Sequence, residues 1–318
     1  MSSNNKILSI VIPFFNEEQS VHELLLRLDA VVLKMAATIA VELILVDDHS
    51  SDKTPVMLKA FCQTKPYSKY LRLSKNSGSH IAIISGMSIC SGDCAVFLAS
   101  DLQDPPELIE KMLQFWNDGA DVVWAVRKSV EGISISTSFF SKLFYRLVNS
   151  SSSVKLPPTG ADFALLDRKV IKGLVASAGS NPSLGSLIAW LGFEQAQIDY
   201  VKEARKYGKS KWTLTKKLNA FVDAFVGFSF VPMRIMMYFG FTMATIGFIY
   251  AMVVICLRVI SGQQIEGWAS LMVVLLIIGG ILMIMLGVLG EYLWRSLEES
   301  RKRPLFFIED SYGDINLK

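Results

Sequence analysis

One stretch decides how this chain folds: Ala95-Val96-Phe97-Leu98-Ala99-Ser100-Asp101-Leu102-Gln103-Asp104-Pro105-Pro106-Glu107. Its apolar start predicts a buried parallel strand, and the two prolines predict that a helix begins soon after the strand ends. Asp101 and Asp104 therefore lie at the carboxyl end of a strand, where open α/β sheets bind their ligands. Carboxylates in this position can hold Mg²⁺ or Mn²⁺ together with a diphosphate.

Both acids also have a structural interpretation. Asp104 directly precedes the prolines, so it is equally consistent with the N-cap of the following helix. For Asp101 the alternative is an acidic turn residue without a ligand.

The scheme of strand, polar loop and helix occurs three times before this stretch. Apolar runs at residues 7–12, 41–46 and 70–73 are each followed by a polar loop and a helical pattern. Residues 121–127 predict a fifth strand that ends in Arg127, and residues 164–166 predict a strand or a helix. The chain is therefore predicted to be an α/β protein whose sheet is mostly parallel and covered on both faces. Neither a dinucleotide fingerprint nor a P-loop is present in the sequence.

Acidic residues follow two of the other predicted strands. Glu17 comes after the first strand, and Asp47 and Asp48 end the second. Clustered carboxylates repel one another unless a cation or hydrogen-bond donors compensate, and a divalent ion with a nucleotide would do so. Asp47 is alternatively placed to accept a hydrogen bond from a base or a ribose.

The last third of the chain is predicted to lie in a membrane. Hydrophobic residues make up 51% of the sequence and the mean hydropathy is +0.38. Residues 235–257 and 267–290 carry no charge, and each is long enough to cross a bilayer as a helix. Lys and Arg lie on the outer flanks and not in the connector, which predicts a multi-pass membrane protein with both termini in the cytoplasm. Residues 1–6 are polar, so a signal peptide is not expected before the first strand.

Two further segments are predicted to lie near the membrane surface. Residues 205–212 gather four cations around a Gly-Lys-Ser turn, which suits either phosphates or anionic lipid headgroups. Residues 211–230 have the apolar spacing of an amphipathic interfacial helix. A second amphipathic stripe, at residues 139–147, suits the membrane surface and the sheet equally well.

The predicted organisation is a catalytic domain over residues 1–210, the interfacial helix, the two spans within residues 231–295, and a cytoplasmic tail over residues 296–318.

Composition excludes some other classes. The four cysteines have no disulfide or zinc spacing, and a net charge of +3 without a basic aromatic run argues against a nucleic-acid partner. A homo-oligomer is expected, because copies of the spans can pack through small residues, namely Gly279, Gly280, Gly287 and Gly290.

Taken together, the motifs resemble those of family 2 glycosyltransferases of the polyprenyl-phosphate type. These include dolichol-phosphate mannose synthases and, with a stronger likeness, bactoprenol glucosyltransferases of the GtrB kind. The matching stretches cover residues 11–17, 46–54, 100–107, 160–163 and 205–212. The resemblance implies a Rossmann-like GT-A fold, a nucleotide-sugar donor, a divalent metal and a lipid-phosphate acceptor.

The resemblance also implies roles for individual residues. Asp101 is expected to hold the metal, Gln103 to approach the sugar or diphosphate, and Asp162 to orient the acceptor or act as its base. The rest of the nucleotide-sugar site is expected to consist of Pro13, Glu17, Asp47, Asp48, Ser100, Arg127, Arg205, Lys209 and Lys211. Two positions depart from the pattern: Ala99 replaces a frequent Asp, and Ala164 replaces a frequent Arg.

The reaction implied is inverting transfer of a sugar to undecaprenyl phosphate on the cytoplasmic leaflet. Glucose from UDP-glucose is the favoured donor, with GDP-mannose and UDP-aminoarabinose as alternatives. A processive polysaccharide synthase would need more spans than the two predicted here. A non-catalytic membrane scaffold that binds nucleotide sugars is the alternative from a different class, and the missing first Asp keeps it open.

Overall fold

The computed structural model describes residues 6–127, 163–179, 183–203, 231–261 and 267–315. It divides into two compact units. The first combines Met1–Asp223 with Pro304–Lys318, and the second is Ala224–Arg303. The predicted boundary at residue 210, the interfacial helix at residues 211–230 and the stripe at residues 139–147 fall outside the described residues.

The first unit is built on an eight-stranded sheet. Its strands are β1 (Ile7–Phe14), β2 (Ala40–Asp47), β3 (Ser68–Leu73), β4 (Cys94–Phe97), β5 (Val122–Arg127), β6 (Ala164–Asp167), β7 (Gln195–Tyr200) and β8 (Ile308–Tyr312). They lie in the order β7-β5-β6-β4-β1-β2-β3-β8. The centre, β4-β1-β2-β3, is parallel as predicted. The sheet as a whole is mixed, because β6 runs antiparallel to both of its neighbours and β8 runs antiparallel to β3.

Helices connect the strands of this unit. They are α1 (Val21–Met35), α2 (Thr54–Thr64), α3 (Ser79–Ile89), α4 (Ile109–Asn117), α5 (Arg168–Ser177) and α6 (Leu184–Trp190), with a 3-10 turn at Pro106–Leu108 before α4. The apolar side chains of β1 are buried almost throughout, as expected for a strand covered on both faces. At the centre α3 packs very closely on the sheet, since a Cβ added to Gly86 would lie 2.4 Å from Cγ1 of Val11.

The turns that follow the central strands have an unusual backbone. Asn16, His49 and Leu102 have φ values of 51°, 59° and 62° and follow β1, β2 and β4 respectively. Residues other than glycine rarely adopt this left-handed backbone conformation, and it persists only where the surrounding structure imposes it. Such strained turns concentrate at functional sites.

The C-terminal segment is part of the sheet and not a separate tail. Sequence analysis placed residues 296–318 outside the catalytic domain, whereas β8 pairs with β3 along its outer edge. Lys59 of α2 holds the strand through an ion pair of 2.7 Å with Asp310. At its end Gly313 turns with φ +102° close to the backbone of Ser68, a conformation that suits glycine.

The second unit contains two long helices, α7 (Val231–Ser261) and α8 (Trp268–Ser300), which include both predicted spans. One stretch of the described residues, Ile277–Ser300, is long and apolar enough to cross a membrane. Two crossings therefore remain a prediction. A Cβ on Gly240 would lie 3.7 Å from Met285, so the helices are neighbours there. By contrast, Gly279, Gly280, Gly287 and Gly290 have nothing within 4 Å of an added Cβ.

Candidate active site

The predicted acidic loops meet at one edge of the sheet. Strands β2 and β4 both pair in parallel with β1, so the three carboxyl ends are adjacent. Neighbouring strands are about 4.8 Å apart, which puts the strands that lead to Asp47 and Asp101 roughly 10 Å from each other. This spacing suits a nucleotide and its diphosphate lying across the end of β1.

Asp47 ends β2 and is completely buried. Its Oδ1 accepts a hydrogen bond from the Ser50 backbone N–H, and its Oδ2 pairs with the Arg72 guanidinium at 2.5 Å. The same guanidinium donates to the Ser50 carbonyl at 3.2 Å. The carboxylate therefore holds the loop of residues 47–52 in a closed turn at this edge of the sheet.

Asp48 connects this loop to the start of α3. Its two carboxylate oxygens accept backbone hydrogen bonds of 2.7 and 2.8 Å from Ser77 and Gly78. Burial raises the pKa of Asp48, and these N–H groups oppose the shift only in part. The side chain thus fixes the relative position of two neighbouring loops.

The loop after β1 is joined to the same turn. The Asn16 backbone donates to Ser50 Oγ at 2.9 Å, and its side chain accepts from the Ser51 backbone at 2.8 Å. The Glu17 backbone donates to Thr54 Oγ1 at 3.0 Å, while its carboxylate accepts from Ser20 Oγ at 3.2 Å. Pro13 lies just before this loop in β1 and is half-buried.

Asp101 lies on a rigid turn after β4. One of its oxygens accepts from the Gln103 backbone N–H at 3.2 Å, and Leu102 between them is buried with a left-handed backbone. Ser100 is 8% exposed, whereas Asp101 itself is half-buried and within reach of solvent. Among the described residues no three His, Cys, Asp or Glu side chains cluster as a metal site. A cation here would therefore have to share Asp101 with ligands from the substrate or from undescribed residues.

Asp104 has a different role from the N-cap that was one of its two interpretations. The position before the 3-10 turn is occupied by Pro105, and no side chain caps it. Asp104 is completely buried and accepts a 2.5 Å hydrogen bond from the Tyr200 hydroxyl, with Lys202 Nζ 3.7 Å away. Burial and this carboxylate raise the pKa of Tyr200. Asp104 thus fastens the Asp101 loop to the end of β7.

Comparisons with known proteins agree with this architecture. The profile described as "Glycosyl transferase family 2" matches residues 9–175, which is more than half of the chain. The chain belongs to glycosyltransferase family 2. A second profile, "GtrB C-terminal hairpin", matches residues 231–295 of this glycosyltransferase.

Relatives of similar length extend the match over nearly the whole chain. The uncharacterized glycosyltransferase YkcC of Bacillus subtilis is 36% identical over 97% of this chain and 95% of its own. The bactoprenol glucosyl transferase of Shigella phage SfV is 30% identical over 95% of this chain and 98% of its own. Solved structures are more distant. Glucosyl-3-phosphoglycerate synthase of Mycobacterium tuberculosis, in complex with Mn²⁺, UDP-glucose and phosphoglyceric acid, has 17% identity, covers 70% of this chain and 78% of its own, and has a TM-score of 0.49.

In this glycosyltransferase Gln103 contacts the segment that follows β7. Its carbonyl accepts from the Glu203 backbone N–H at 2.9 Å, and its side-chain amide donates to the Glu203 carbonyl at 3.3 Å. Arg27 of α1 also pairs with Glu203 at 3.0 Å. Glu203, the last described residue before position 231, therefore lies beside the Asp101 turn.

The remaining predicted residues of the glycosyltransferase lie along this edge or outside the described part. Arg127 ends β5 and is exposed, opposite Tyr200 in the register of β5 and β7. Asp162 is outside the described residues, but its neighbour Phe163 precedes β6, whose first residue pairs with the last residue of β4. Also outside the described residues are Arg205, Lys209 and Lys211.

Sequence reasoning missed Arg72 and Glu309 of this glycosyltransferase. Arg72 pairs with Asp47 from within β3, and Glu309 of β8 accepts from Arg72 Nε at 2.8 Å. One signal was available: a charged residue interrupts the short apolar run at residues 70–73. A single cation in a strand beside a strand that ends in two acids indicates a buried ion pair.

Proposed function

We propose that this glycosyltransferase moves a sugar from a nucleotide sugar to the phosphate of a membrane polyprenyl phosphate, with undecaprenyl phosphate as the acceptor. UDP-glucose is the favoured donor, because relatives that match almost the full chain are named bactoprenol glucosyl transferases. The product is a lipid-phosphate-linked sugar.

One observation carries the proposal. The chain continues from β7 to Glu203, which contacts Gln103, and it rejoins the sheet at Phe307, whose carbonyl accepts from the Ser74 backbone at 2.9 Å. Both points lie at the carboxyl edge of the sheet, because β7 ends there and β8 begins there. Along the sequence, the apolar hairpin is therefore inserted between two points at the edge that bears the acidic loops. A lipid acceptor keeps its phosphate at the membrane surface, so a catalytic edge that the chain joins to membrane segments in both directions suits such an acceptor.

The same insertion supports a definite membrane topology. Because the segments before and after the hairpin build one sheet, the chain between them must cross a bilayer an even number of times. Two crossings by α7 and α8 satisfy this, and large apolar side chains such as Phe241, Ile249 and Leu282 are exposed along them. Lys and Arg on the outer flanks put the sheet in the cytoplasm. The protein is then a multi-pass protein of the bacterial inner membrane, with both termini on the catalytic side.

The donor is proposed to lie across the ends of β1, β2 and β4. Residues 47–52 and the loop after β1 form one side of this donor site, and the Asp101 turn forms the other. Asp101 fits a divalent cation, because Mg²⁺ is usually held by one or two carboxylates and completed by substrate phosphates. Mg²⁺ or Mn²⁺ bound there would neutralise charge on the diphosphate. Because Asp101 is the carboxylate that the described residues supply here, binding of the ion would depend on the phosphates of the nucleotide.

The acceptor needs little help to become a nucleophile. A phosphate monoester has a second pKa of about 6 and is largely dianionic at neutral pH, so a strong base is unnecessary. Attack of its oxygen on the anomeric carbon breaks the bond to the nucleoside diphosphate and inverts that carbon. Asp162 then orients the acceptor, while Arg205, Lys209 and Lys211 hold the negative phosphates. In the sequence Arg205 follows Glu203, the residue that contacts Gln103, by two positions.

A panel of radiolabelled nucleotide sugars tests the function. UDP-glucose, GDP-mannose and UDP-aminoarabinose are each given to the purified chain with undecaprenyl phosphate, with and without a chelator. The proposal expects a labelled lipid product from one donor, lost on chelation and restored by Mn²⁺ or Mg²⁺. Asp101→Asn serves as the inactive control. Nucleotide binding without any single-turnover transfer would instead establish the non-catalytic scaffold, the alternative that Ala99 leaves open.

A further inference from the structure

The C-terminal strand β8 contributes a carboxylate to the ion-pair network behind the candidate nucleotide loop. Its residue Glu309 accepts from Arg72 Nε at 2.8 Å and contacts His49 Nδ1 at 3.1 Å. Arg72 is the group that pairs with the buried Asp47. Two residues of the loop, His49 and Asp47, are thus connected to a strand that follows them by some 260 positions.

Arg72 has three neighbours that together fix its direction. One terminal nitrogen pairs with Asp47, both terminal nitrogens donate to the Ser50 carbonyl, and Nε donates to Glu309. Its side chain is 18% exposed, so these contacts replace most of its water. A guanidinium has a planar fork of donors, and a partner on Nε therefore sets the plane in which the other nitrogens point. Without Glu309 the plane can turn away from Asp47.

His49 adds a second connection at the same place. Its backbone is left-handed, with φ 59°, and its Nδ1 lies 3.2 Å from the Leu73 carbonyl as well as 3.1 Å from Glu309. A strained residue of this kind keeps its conformation only where neighbours impose it. Glu309 is one of those neighbours, and it lies on β8 rather than on the loop itself.

From these contacts we propose that Glu309 is a positioning residue for donor binding. It acts through Arg72 and His49, which hold residues 47–52 in the shape that receives the nucleotide. The role rests on the proposed function, because it takes this loop as part of the nucleotide site. Through Glu309, the segment that follows the apolar hairpin would contribute to donor binding.

The test compares Glu309→Ala, Glu309→Gln and Asp310→Ala in the full-length protein. Asp310 is the matched control, since it lies opposite Arg72 in the same strand but its carboxylate pairs with Lys59 and not with the guanidinium. For each variant we measure kcat, the KM for donor and for undecaprenyl phosphate, the Kd for UDP and for GDP, and the thermal midpoint.

Glu309→Ala is expected to raise the donor KM and the Kd of the bound nucleotide about three- to fivefold, because the Glu309 side chain is 46% exposed and solvent screens its pairs with Arg72 and His49. The KM for lipid and the kcat should stay within about twofold. Glu309→Gln keeps an oxygen for Arg72 and should recover part of the affinity. Asp310→Ala should leave the donor KM unchanged even where it lowers the thermal midpoint.

The possible failures are distinct. The positioning role is overturned if the wild-type protein transfers sugar and the folded Glu309→Ala variant has an unchanged donor KM. The proposed function is then unaffected. An equal rise in donor KM for Asp310→Ala also overturns the role, because docking of the strand would then explain both variants. A wild-type chain that binds neither UDP nor GDP overturns the proposed function, and the positioning role with it.

Discussion

Replacing Arg72 by Leu tests the network at the nucleotide edge most directly. The change leaves the Asp47 carboxylate, which is completely buried, with the Ser50 N–H as its remaining described hydrogen-bond donor. Removing one partner of a buried ion pair costs about 3–5 kcal/mol. Arg72 retains 18% exposure, so water can reach part of the vacated space, and we reduce the expected loss to about 2–4 kcal/mol. For a domain of this size, that loss lowers the thermal midpoint by roughly 4–16 °C.

Thermal and guanidinium denaturation of the full chain in detergent measure this loss, with Trp fluorescence as the readout. Trp124 is buried in β5 and reports on the sheet. The matched control is Lys59→Leu, which removes the ion pair to Asp310 between side chains 39% and 43% exposed. Such exposed pairs contribute less than about 1 kcal/mol. If Arg72→Leu costs no more than Lys59→Leu, the buried pair does not hold the loop and the reasoning about residues 47–52 is refuted.

Three further predictions concern other parts of the chain. Asp101→Asn should lower turnover by about 100-fold or more, because the proposed metal site loses its described carboxylate. Binding of undecaprenyl phosphate should be unchanged. Retained activity in the transfer assay would show that Asp101 has no part in the mechanism. Tyr200→Phe removes the buried hydrogen bond to Asp104 and should lower the free energy of unfolding by about 1–3 kcal/mol, as measured by denaturation, with no loss contradicting the anchor. Hydrogen bonds from Lys65 and Tyr67 lower the pKa of Asp29, so its contribution is complete above pH 4 and disappears as the pH falls through the lowered pKa. Stability of Asp29→Asn should therefore fall less steeply in acid than that of the wild type, and parallel curves would exclude this contribution.

The sequence alone determined the centre of the fold and the location of the candidate site. Strands β1 to β5 lie where the apolar runs predicted them, because strands covered on both faces have a continuous hydrophobic sequence that polar loops interrupt. The acidic loops follow these strands, and parallel strands bring their carboxyl ends to one edge. Adjacency of the residue 17, residue 47 and residue 101 loops was therefore predictable before any coordinates.

Local pattern could not identify the mixed edges of the sheet. β8 has the sequence Ile-Glu-Asp-Ser-Tyr, whose alternation is too short and too charged to predict a strand. It forms because β3 offers an unpaired edge, and that edge is known only when the sheet is assembled. β7 is likewise polar on one side, and its partner β5 lies far away in sequence.

The tertiary structure also decided what each acid does. Asp47, Asp48, Asp101 and Asp104 are alike in sequence, yet Asp104 meets Tyr200, Asp47 meets Arg72, and Asp101 lies on a turn within reach of solvent. Sequence determines which residues end a strand. The partners of Asp47, Asp48 and Asp104 lie between 25 and 96 positions away, and only the folded chain brings these residues together.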